Sequence, residues 1–428
     1  MQPVLQLALD FVDLHRALGV AEEAVRGGVD WLEVGTPLLK AEGLDAVRQL
    51  RAQYGGLTIV CDTKTMDAGR AEMEAAAKAG ADVATVLAAA ADSTIRECIE
   101  AGRNYGIRIA VDLVNVDDPV RRAAQAAEWG AALVGVHCPI DRQMAGEDPF
   151  TVLREVAGAV QIPVSVAGGI HSETAAAAVA AGASVVVVGG AISKAEDAEA
   201  ATRQIKRVME SGVAERTELF KRGGAADIRE LLAKPSVPNI SDGYHHLRVL
   251  DGLRPVVEGV HMVGRAVTVR TYPGDWAKPV EAIDHAEAGD VVVIDAGGVP
   301  PALWGELATH SALQRGLAGV VIHGAIRDTP EIKRLKFPAF ARHVTARAGE
   351  PKGFGEIGVP LDIDGILVQP GDWVVGDDDG VVVIPQAKAV EIANRAVERL
   401  EMENRVRKEI SSGSTLGQVM DLYKWEKK

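Results

Sequence analysis

Three charged residues crowd one short stretch, IVCDTKTMDAG (59–69), where Asp62, Lys64 and Asp67 fall within six positions after an apolar run. Side chains two apart on a strand share a face, so Asp62 and Lys64 point the same way and Glu33 from a neighbouring run can approach Asp62. Two carboxylates at close range repel unless a proton or a hard cation lies between them. An all-oxygen donor set of this kind suits Mg2+ or Mn2+, which makes Glu33 and Asp62 the expected metal ligands. Such an ion polarises a carbonyl and steadies an enediolate, while Lys64 supplies a proton or a positive charge. Asp67, just beyond, is expected to orient Lys64 and tune its acidity.

These residues need elements to position them, and the first half of the chain repeats one pattern. Eight β-rich runs recur: VLQLAL (4–9), DWLEVG (30–35), LTIVCD (57–62), DVATVL (82–87), IRIAVDL (107–113), ALVGVH (132–137), IPVSVAGG (162–169) and SVVVVGG (184–190). Most follow an alanine-rich stretch closed by glycine, such as EMEAAAKAGAD, which supplies a helix and its left-handed terminator. Alternating strands and helices imply parallel strands joined by right-handed crossovers. Eight such units predict an α/β fold, a (β/α)8 TIM barrel. An open doubly wound sheet is disfavoured, because no GxGxxG opens the first helix.

Barrels of this type build their sites at the C-terminal ends of the strands. Asp10 ends the first run, Glu33 the second, Asp62 and Lys64 the third, Asp112 the fifth and His137 the sixth. Gly168 and Gly169 follow the seventh, and Gly189 and Gly190 the eighth, where backbone N–H groups commonly take a phosphate. Taken singly, a strand-end aspartate is more often a cap and a glycine pair more often a turn. Their convergence on one rim points to a catalytic site for a small phosphorylated molecule, with Asp10, Lys64, Asp67 and His137 as its candidate catalytic groups.

The formal charge of −14 argues against a broad nucleic-acid or anionic-membrane surface, since both need positive charge. No stretch approaches a membrane span, and the N-terminus lacks a targeting pattern. Three cysteines without CxxC spacing suggest neither a disulfide framework nor structural zinc, so a reducing cytoplasm is expected.

The motifs DWLEVGTPLLKAEG, IVCDTKTMDAGRAEMEAAAKAGAD, VHCPIDRQMAGEDPF, VAGGI and VVVGGAI resemble the 3-hexulose-6-phosphate synthase family, within the orotidine 5'-monophosphate decarboxylase superfamily. The resemblance covers residues 1 to about 210. It implies an Mg2+-dependent aldol reaction of ribulose 5-phosphate with formaldehyde to arabino-hex-3-ulose 6-phosphate, or the reverse. Carried onto this sequence it makes Glu33 and Asp62 metal ligands, Lys64 and Asp67 an acid/base cluster, and His137 the proton carrier at C1. It also implies that Asp67 reaches a neighbour's site, hence at least a dimer. The sibling 3-keto-L-gulonate 6-phosphate decarboxylase resembles the same scaffold. CPIDRQMAGEDPF looks more like the synthase, whereas Arg142 within it is a group that could serve the decarboxylase.

A linker is expected over 211–226, and a different domain over 227–428. Strands are predicted at 262–272, 290–296, 318–325, 337–346 and as a pair within 366–385, with a closing helix over about 387–411. Irregularly spaced strands imply a layered α/β domain. Its chemical stretch is GELATHSALQRGLAGVVIHGAIRDTPEI, in which Arg327 suits a two-pronged grip on a carboxylate and Asp328 an anchored cation. Gly305 and Leu307 offer N–H groups at a helix start. Residues 227 to about 400 look like the regulator of ribonuclease E activity A family, a swivelling β/β/α-like fold that includes 4-hydroxy-4-methyl-2-oxoglutarate aldolases and oxaloacetate decarboxylases. That resemblance implies that Arg327 binds a pyruvate carboxylate, Asp328 organises Mg2+ and Glu306 positions a water. It also allows a non-catalytic module that binds protein, although the Arg327–Asp328 pair favours a catalytic domain. His323 stands where an acidic or similar residue is expected. Both resemblances point to a homo-oligomer.

Overall fold

Glycines end the barrel helices where the repeat requires a change of direction. The helix Leu14–Gly27 stops at Gly28 and Gly69–Ala79 stops at Gly80, both with φ near 90–100°, a conformation open to glycine at little cost. In this computed structural model, which describes residues 2–217, 219, 222–244 and 248–420, the strands between such helices close on themselves.

Eight parallel strands form the closed barrel: β1 (Val4–Leu9), β2 (Trp31–Val34), β3 (Thr58–Thr65), β4 (Val83–Leu87), β5 (Arg108–Asp112), β6 (Leu133–His137), β7 (Val164–Ala167) and β8 (Val185–Val188). β1 seals it by pairing with β8, Val4 opposite Val185 and Leu7 opposite Val188. All eight predicted runs are strands, and the predicted (β/α)8 architecture holds.

Two apolar layers hold the barrel. Leu7, Leu32 and Ile59 face the surrounding helices and are fully buried, each worth roughly 1.5–3 kcal/mol. Inside, Val60, Val83, Ala110 and Leu133 pack together with Trp31 against them. This inner layer fixes the site above it. Two positions past Trp31 is Glu33, past Val60 is Asp62 and past Ala110 is Asp112; His137 is four past Leu133. Strand periodicity therefore brings all four to the inner side at the C-terminal mouth.

The second unit is built on a mixed sheet. Met262–Arg270, Val291–Asp295, Gly319–Ile326 and Ala339–Val344 run parallel in neighbouring pairs. Trp373–Asp377 pairs antiparallel with Met262–Arg270, and Gly380–Ile384 with Trp373–Asp377. Val292 and Ile294 enter one apolar cluster and Val291 and Val293 another, which is why VVVI reads as an unbroken apolar run. The layered α/β class is as predicted. Short strands at Ala302–Trp304 and Leu361–Ile363, too brief to show a period, were not foreseen.

Residues up to 219, except 144–146, form one compact unit with those from Glu401 on; residues 144–146 and 222–400 form the other. The final helix, Ala389–Ser411, thus changes unit at Glu401, where the sequence reading gave it wholly to the second domain. Positions 218, 220, 221, 245–247 and 421–428, which fall in the expected linker and second domain, lie outside the described residues. No described helix is long and apolar enough to cross a membrane.

Candidate active site

Asp62 sits at the centre of the barrel mouth, only 5% exposed. Its Oδ1 accepts from Thr85 Oγ1 at 2.7 Å and its Oδ2 from Thr36 Oγ1 at 2.7 Å. Lys64 Nζ lies 2.8 Å from the same Oδ2. Lys64 leaves strand geometry, with φ at +44°, and its amide donates to Thr85 Oγ1 at 2.9 Å. Backbone held in this region by a neighbouring side chain is a common mark of a working site.

Lys64 reaches a second carboxylate. Its Nζ is 3.2 Å from Asp112 Oδ2, which is also 3.3 Å from His137 Nδ1, while Asp112 Oδ1 accepts from Val114 N at 3.0 Å. Burial alone would lower the Lys64 pKa, but Asp62 and Asp112 outweigh it and raise the value above the ordinary 10.5. Burial likewise pushes Asp112 up, yet the His137 hydrogen bond and charge, with Lys64, bring it below 3.8. An ionised Asp112 accepts from Nδ1, which leaves the lone pair of a neutral His137 on Nε2.

Two further carboxyls share the mouth. Glu33, buried, accepts a hydrogen bond from Gln6 Nε2. Its pKa stands well above 4.5, first through burial and then through the charges of Asp62 and Asp10. Asp10 is raised above 3.8 by the same causes, desolvation before Asp62. Glu33, Asp10 and Asp62 thus carry electrostatic strain that a hard divalent cation relieves, and their oxygens are the donors it prefers. Among the described residues, no ready-made group of three or more His, Cys, Asp or Glu side chains is disposed around a single metal position.

The glycine pairs border this cluster. Gly168 and Gly169 have φ of 101° and 72°, and a Cβ on Gly168 would collide with the Cys138 carbonyl. A Cβ on Gly189 would lie 3.5 Å from Asp10 Oδ2, and one on Gly190 would lie 3.4 Å from Lys194 Nζ. Lys194 therefore brings an ammonium to the glycine pair expected to take phosphate.

Asp67 departs from its expected role within the chain. It is exposed, its Oδ1 accepts from the next amide, Ala68 N, at 2.7 Å, and Lys64 is oriented instead by Asp62 and Asp112. Asp112 is 45 residues after Asp67 in sequence, so no local spacing could reveal the substitution of one for the other. Arg142 is exposed and paired with Glu147 at 2.5 Å. Thr36, Thr85 and Lys194 carried no sequence signal beyond lying near strand ends.

In the second unit, Glu306 begins the helix Glu306–Gln314, and its amide donates to Asp328 Oδ2 at 3.2 Å. Arg327 Nε is 3.4 Å from that oxygen, and the Arg327 amide donates to Trp304 O at 3.0 Å. The fold thus gathers a motif in which twenty residues separate Glu306 from Arg327. The Glu306 side chain faces His310 Nε2 at 3.6 Å, and Leu307 is 80% exposed beside Gly305. His323 is buried and committed elsewhere: Nδ1 lies 2.7 Å from Asp295 Oδ1 and Nε2 2.9 Å from Arg342 Nη1, which also bonds Asp364 through Nη2.

Residues 3–205 match the family model described as Orotidine 5'-phosphate decarboxylase / HUMPS family, and 237–383 match the one described as Aldolase/RraA. Over 201 residues the chain is 43% identical to a 3-hexulose-6-phosphate synthase of Methylomonas aminofaciens, covering 47% of this chain and 96% of that one. A solved 3-hexulose-6-phosphate synthase from Salmonella typhimurium is 36% identical, with 49% of this chain and 100% of that one covered and a TM-score of 0.48. An RNA-processing inhibitor, RraA from Thermus thermophilis, is 31% identical, with 36% and 93% covered and a TM-score of 0.34.

Proposed function

The chain belongs to the Orotidine 5'-phosphate decarboxylase / HUMPS family through its first half and carries an Aldolase/RraA domain in its second, and from this premise we propose that the barrel is a 3-hexulose-6-phosphate synthase. It condenses D-ribulose 5-phosphate with formaldehyde to D-arabino-hex-3-ulose 6-phosphate, or runs the reverse. The observation that carries this reading is Asp112 Oδ2, which holds both Lys64 Nζ and His137 Nδ1 within 3.3 Å beside buried Asp62 and Glu33.

The steps follow from this arrangement. Gly168, Gly169, Gly189 and Gly190, with Lys194, take the phosphate and set the sugar across the mouth. His137, oriented by Asp112 through Nδ1, removes the C1 proton with Nε2, and the electron pair moves toward the C2 oxygen. Lys64 offsets the growing negative charge there, and Asp112 stabilises the imidazolium. C1 then attacks formaldehyde, a carbon–carbon bond forms as the C=O π bond breaks, and the former aldehyde oxygen takes the proton back from the His137 imidazolium. A divalent cation held by Glu33 and Asp62 would supply electrophilic stabilisation for the sugar oxygens. Asp10 closes the mouth beside them. Exposed Asp67 and neighbouring Met66, 53% exposed, support a dimer in which this segment meets a second copy. A cytoplasmic location fits the three thiol cysteines, all buried.

For the second unit the proposal is a pyruvate-enolate lyase of the oxaloacetate decarboxylase or 4-hydroxy-4-methyl-2-oxoglutarate aldolase type. Arg327 grips a 2-oxo acid carboxylate, and Asp328, beside Glu306, supports Mg2+. The gathering of Glu306, Arg327 and Asp328 at one helix start supports it.

The test is formaldehyde consumption with ribulose 5-phosphate and Mg2+, by the intact chain and by Asp62→Ala. Consumption by the parent that disappears in the variant is expected. Release of CO2 from 3-keto-L-gulonate 6-phosphate, without formaldehyde consumption, would assign the decarboxylase reaction instead.

A further inference from the structure

Away from the catalytic groups, four charged side chains interlock at the seam where β8 meets β1. Arg405, 7% exposed, donates from Nη2 to Glu23 Oε1 at 2.7 Å and from Nη1 to Glu23 Oε2 at 3.2 Å. Its Nε donates to Glu409 Oε1 at 3.1 Å, and Nη1 also reaches the carbonyl oxygens of Ala195 at 3.1 Å and Glu196 at 3.4 Å. Glu409 accepts in turn from Arg16, Nε at 3.0 Å and Nη2 at 3.2 Å. Glu23 Oε2 accepts from Ala198 N at 3.0 Å. Every group has a partner, and a network satisfied in this way around a buried guanidinium rigidifies what it touches.

What it touches is the rim. Ala195 and Glu196 directly follow Lys194 on the segment that begins with Gly189 and Gly190, so Arg405 and Glu23 together hold the exit of the β8 loop. The Arg16 guanidinium lies 5.5 Å from the Phe11 ring centroid, on the loop that carries Asp10. The two loops meet where Asp10 lies against Gly189. Arg405 and Glu409 come from outside residues 3–205, the segment that matches the barrel family.

We propose that Arg405 and Glu409 are positioning residues for the sugar phosphate. The segment from Glu401 is a strap that holds the β8 loop and the β1 loop in the geometry that binds the phosphate group. This inference rests on the barrel's reading as a sugar-phosphate enzyme. It implies that residues at the far end of the chain complete a site whose catalytic groups all lie before residue 195.

The experiment compares the intact chain with Arg405→Met, Arg405→Lys and Glu409→Gln. Steady-state kinetics with ribulose 5-phosphate and formaldehyde are combined with hydrogen exchange. Arg405→Met is expected to raise the KM for ribulose 5-phosphate about tenfold while kcat stays within about threefold, the signature of lost substrate binding. Arg405→Lys recovers part of the loss, because an ammonium keeps one carboxylate pairing. Glu409→Gln gives a smaller rise. Exchange accelerates in 10–16 and 189–198 and stays unchanged in β3. An unchanged KM, or a fall in kcat with faster exchange throughout the barrel, overturns the proposal, since the network is then either idle or merely structural. If the parent consumes no formaldehyde, the synthase reading fails, and the exchange pattern with titration of inorganic phosphate still decides the strap. Loosening confined to the two loops with weaker phosphate binding upholds it; unaltered phosphate binding refutes it.

Discussion

The two candidate sites each pair a cationic side chain with an aspartate, but in opposite settings. In the barrel, the Lys64–Asp62 pair has side chains 28% and 7% exposed; in the second unit, Arg327 and Asp328 are 45% and 39% exposed. A charge taken out of water must find partners, so the barrel site is a closed set in which Lys64, Asp62, Asp112 and His137 fix one another. An exposed pair has no such obligation and contributes about 0–1 kcal/mol to stability. The barrel cluster is therefore fixed by its own side chains, whereas the Arg327–Asp328 pair remains open to solvent.

The sharpest way to break this contrast is to test the divalent cation proposed for the barrel. Chelation, or Asp62→Ala, is expected to lower formaldehyde consumption by roughly 10³-fold or more, with Mg2+ restoring the chelated parent only. Retained activity after chelation would remove the metal from the reading of Glu33 and Asp62. Next comes Asp112→Asn, which releases both His137 and Lys64 and should cost about 10²-fold in kcat, within the range for a positioned acid or base. A change in KM alone would show that Asp112 binds substrate and does not set the His137 tautomer.

On the other side of the comparison, Arg327→Ala should reduce metal-dependent oxaloacetate decarboxylation about 10- to 100-fold, the equivalent of one charge-assisted contact, and leave formaldehyde consumption untouched. No decarboxylation by the parent chain would favour the protein-binding reading of this domain. The smallest effect concerns stability in the second unit. Burial pushes Asp295 up, but the His323 hydrogen bond, the Gly297 amide and the His323 and Arg270 charges hold it below its ordinary 3.8. A depressed carboxyl stabilises fully above its unfolded pKa and loses that contribution as pH falls through the folded value. Asp295→Asn should thus cost about 1–3 kcal/mol at neutral pH, and the gap from the parent should narrow only below about pH 3.8. A gap that persists unchanged through acid unfolding would show that the cost is one of packing.

Much of the barrel was legible because its information is local and periodic. The eight runs, their glycine terminators and the strand-end positions of Glu33, Asp62 and His137 are visible along the chain, since a strand alternates its faces by a fixed rule. Spacing also placed Asp62 beside Lys64. The same local logic failed at Asp67, where proximity in sequence suggested a partner for Lys64 that the fold supplies instead from Asp112. It was silent on the short strands Ala302–Trp304 and Leu361–Ile363 and on the change of unit at Glu401.

The sequence by itself thus determined which residue types stand at the ends of the barrel strands, and with them the chemistry available: clustered carboxylates, one lysine, one histidine and glycine pairs for an anion. Tertiary structure alone decided who touches whom. Asp112 rather than Asp67 orients Lys64, His323 is spent on Asp295 and Arg342, and Arg405 bonds the Ala195 carbonyl 210 residues before it. The physical reason is that a charge's partner is set by distance and burial in three dimensions, and sequence spacing reports those only within a single strand or helix.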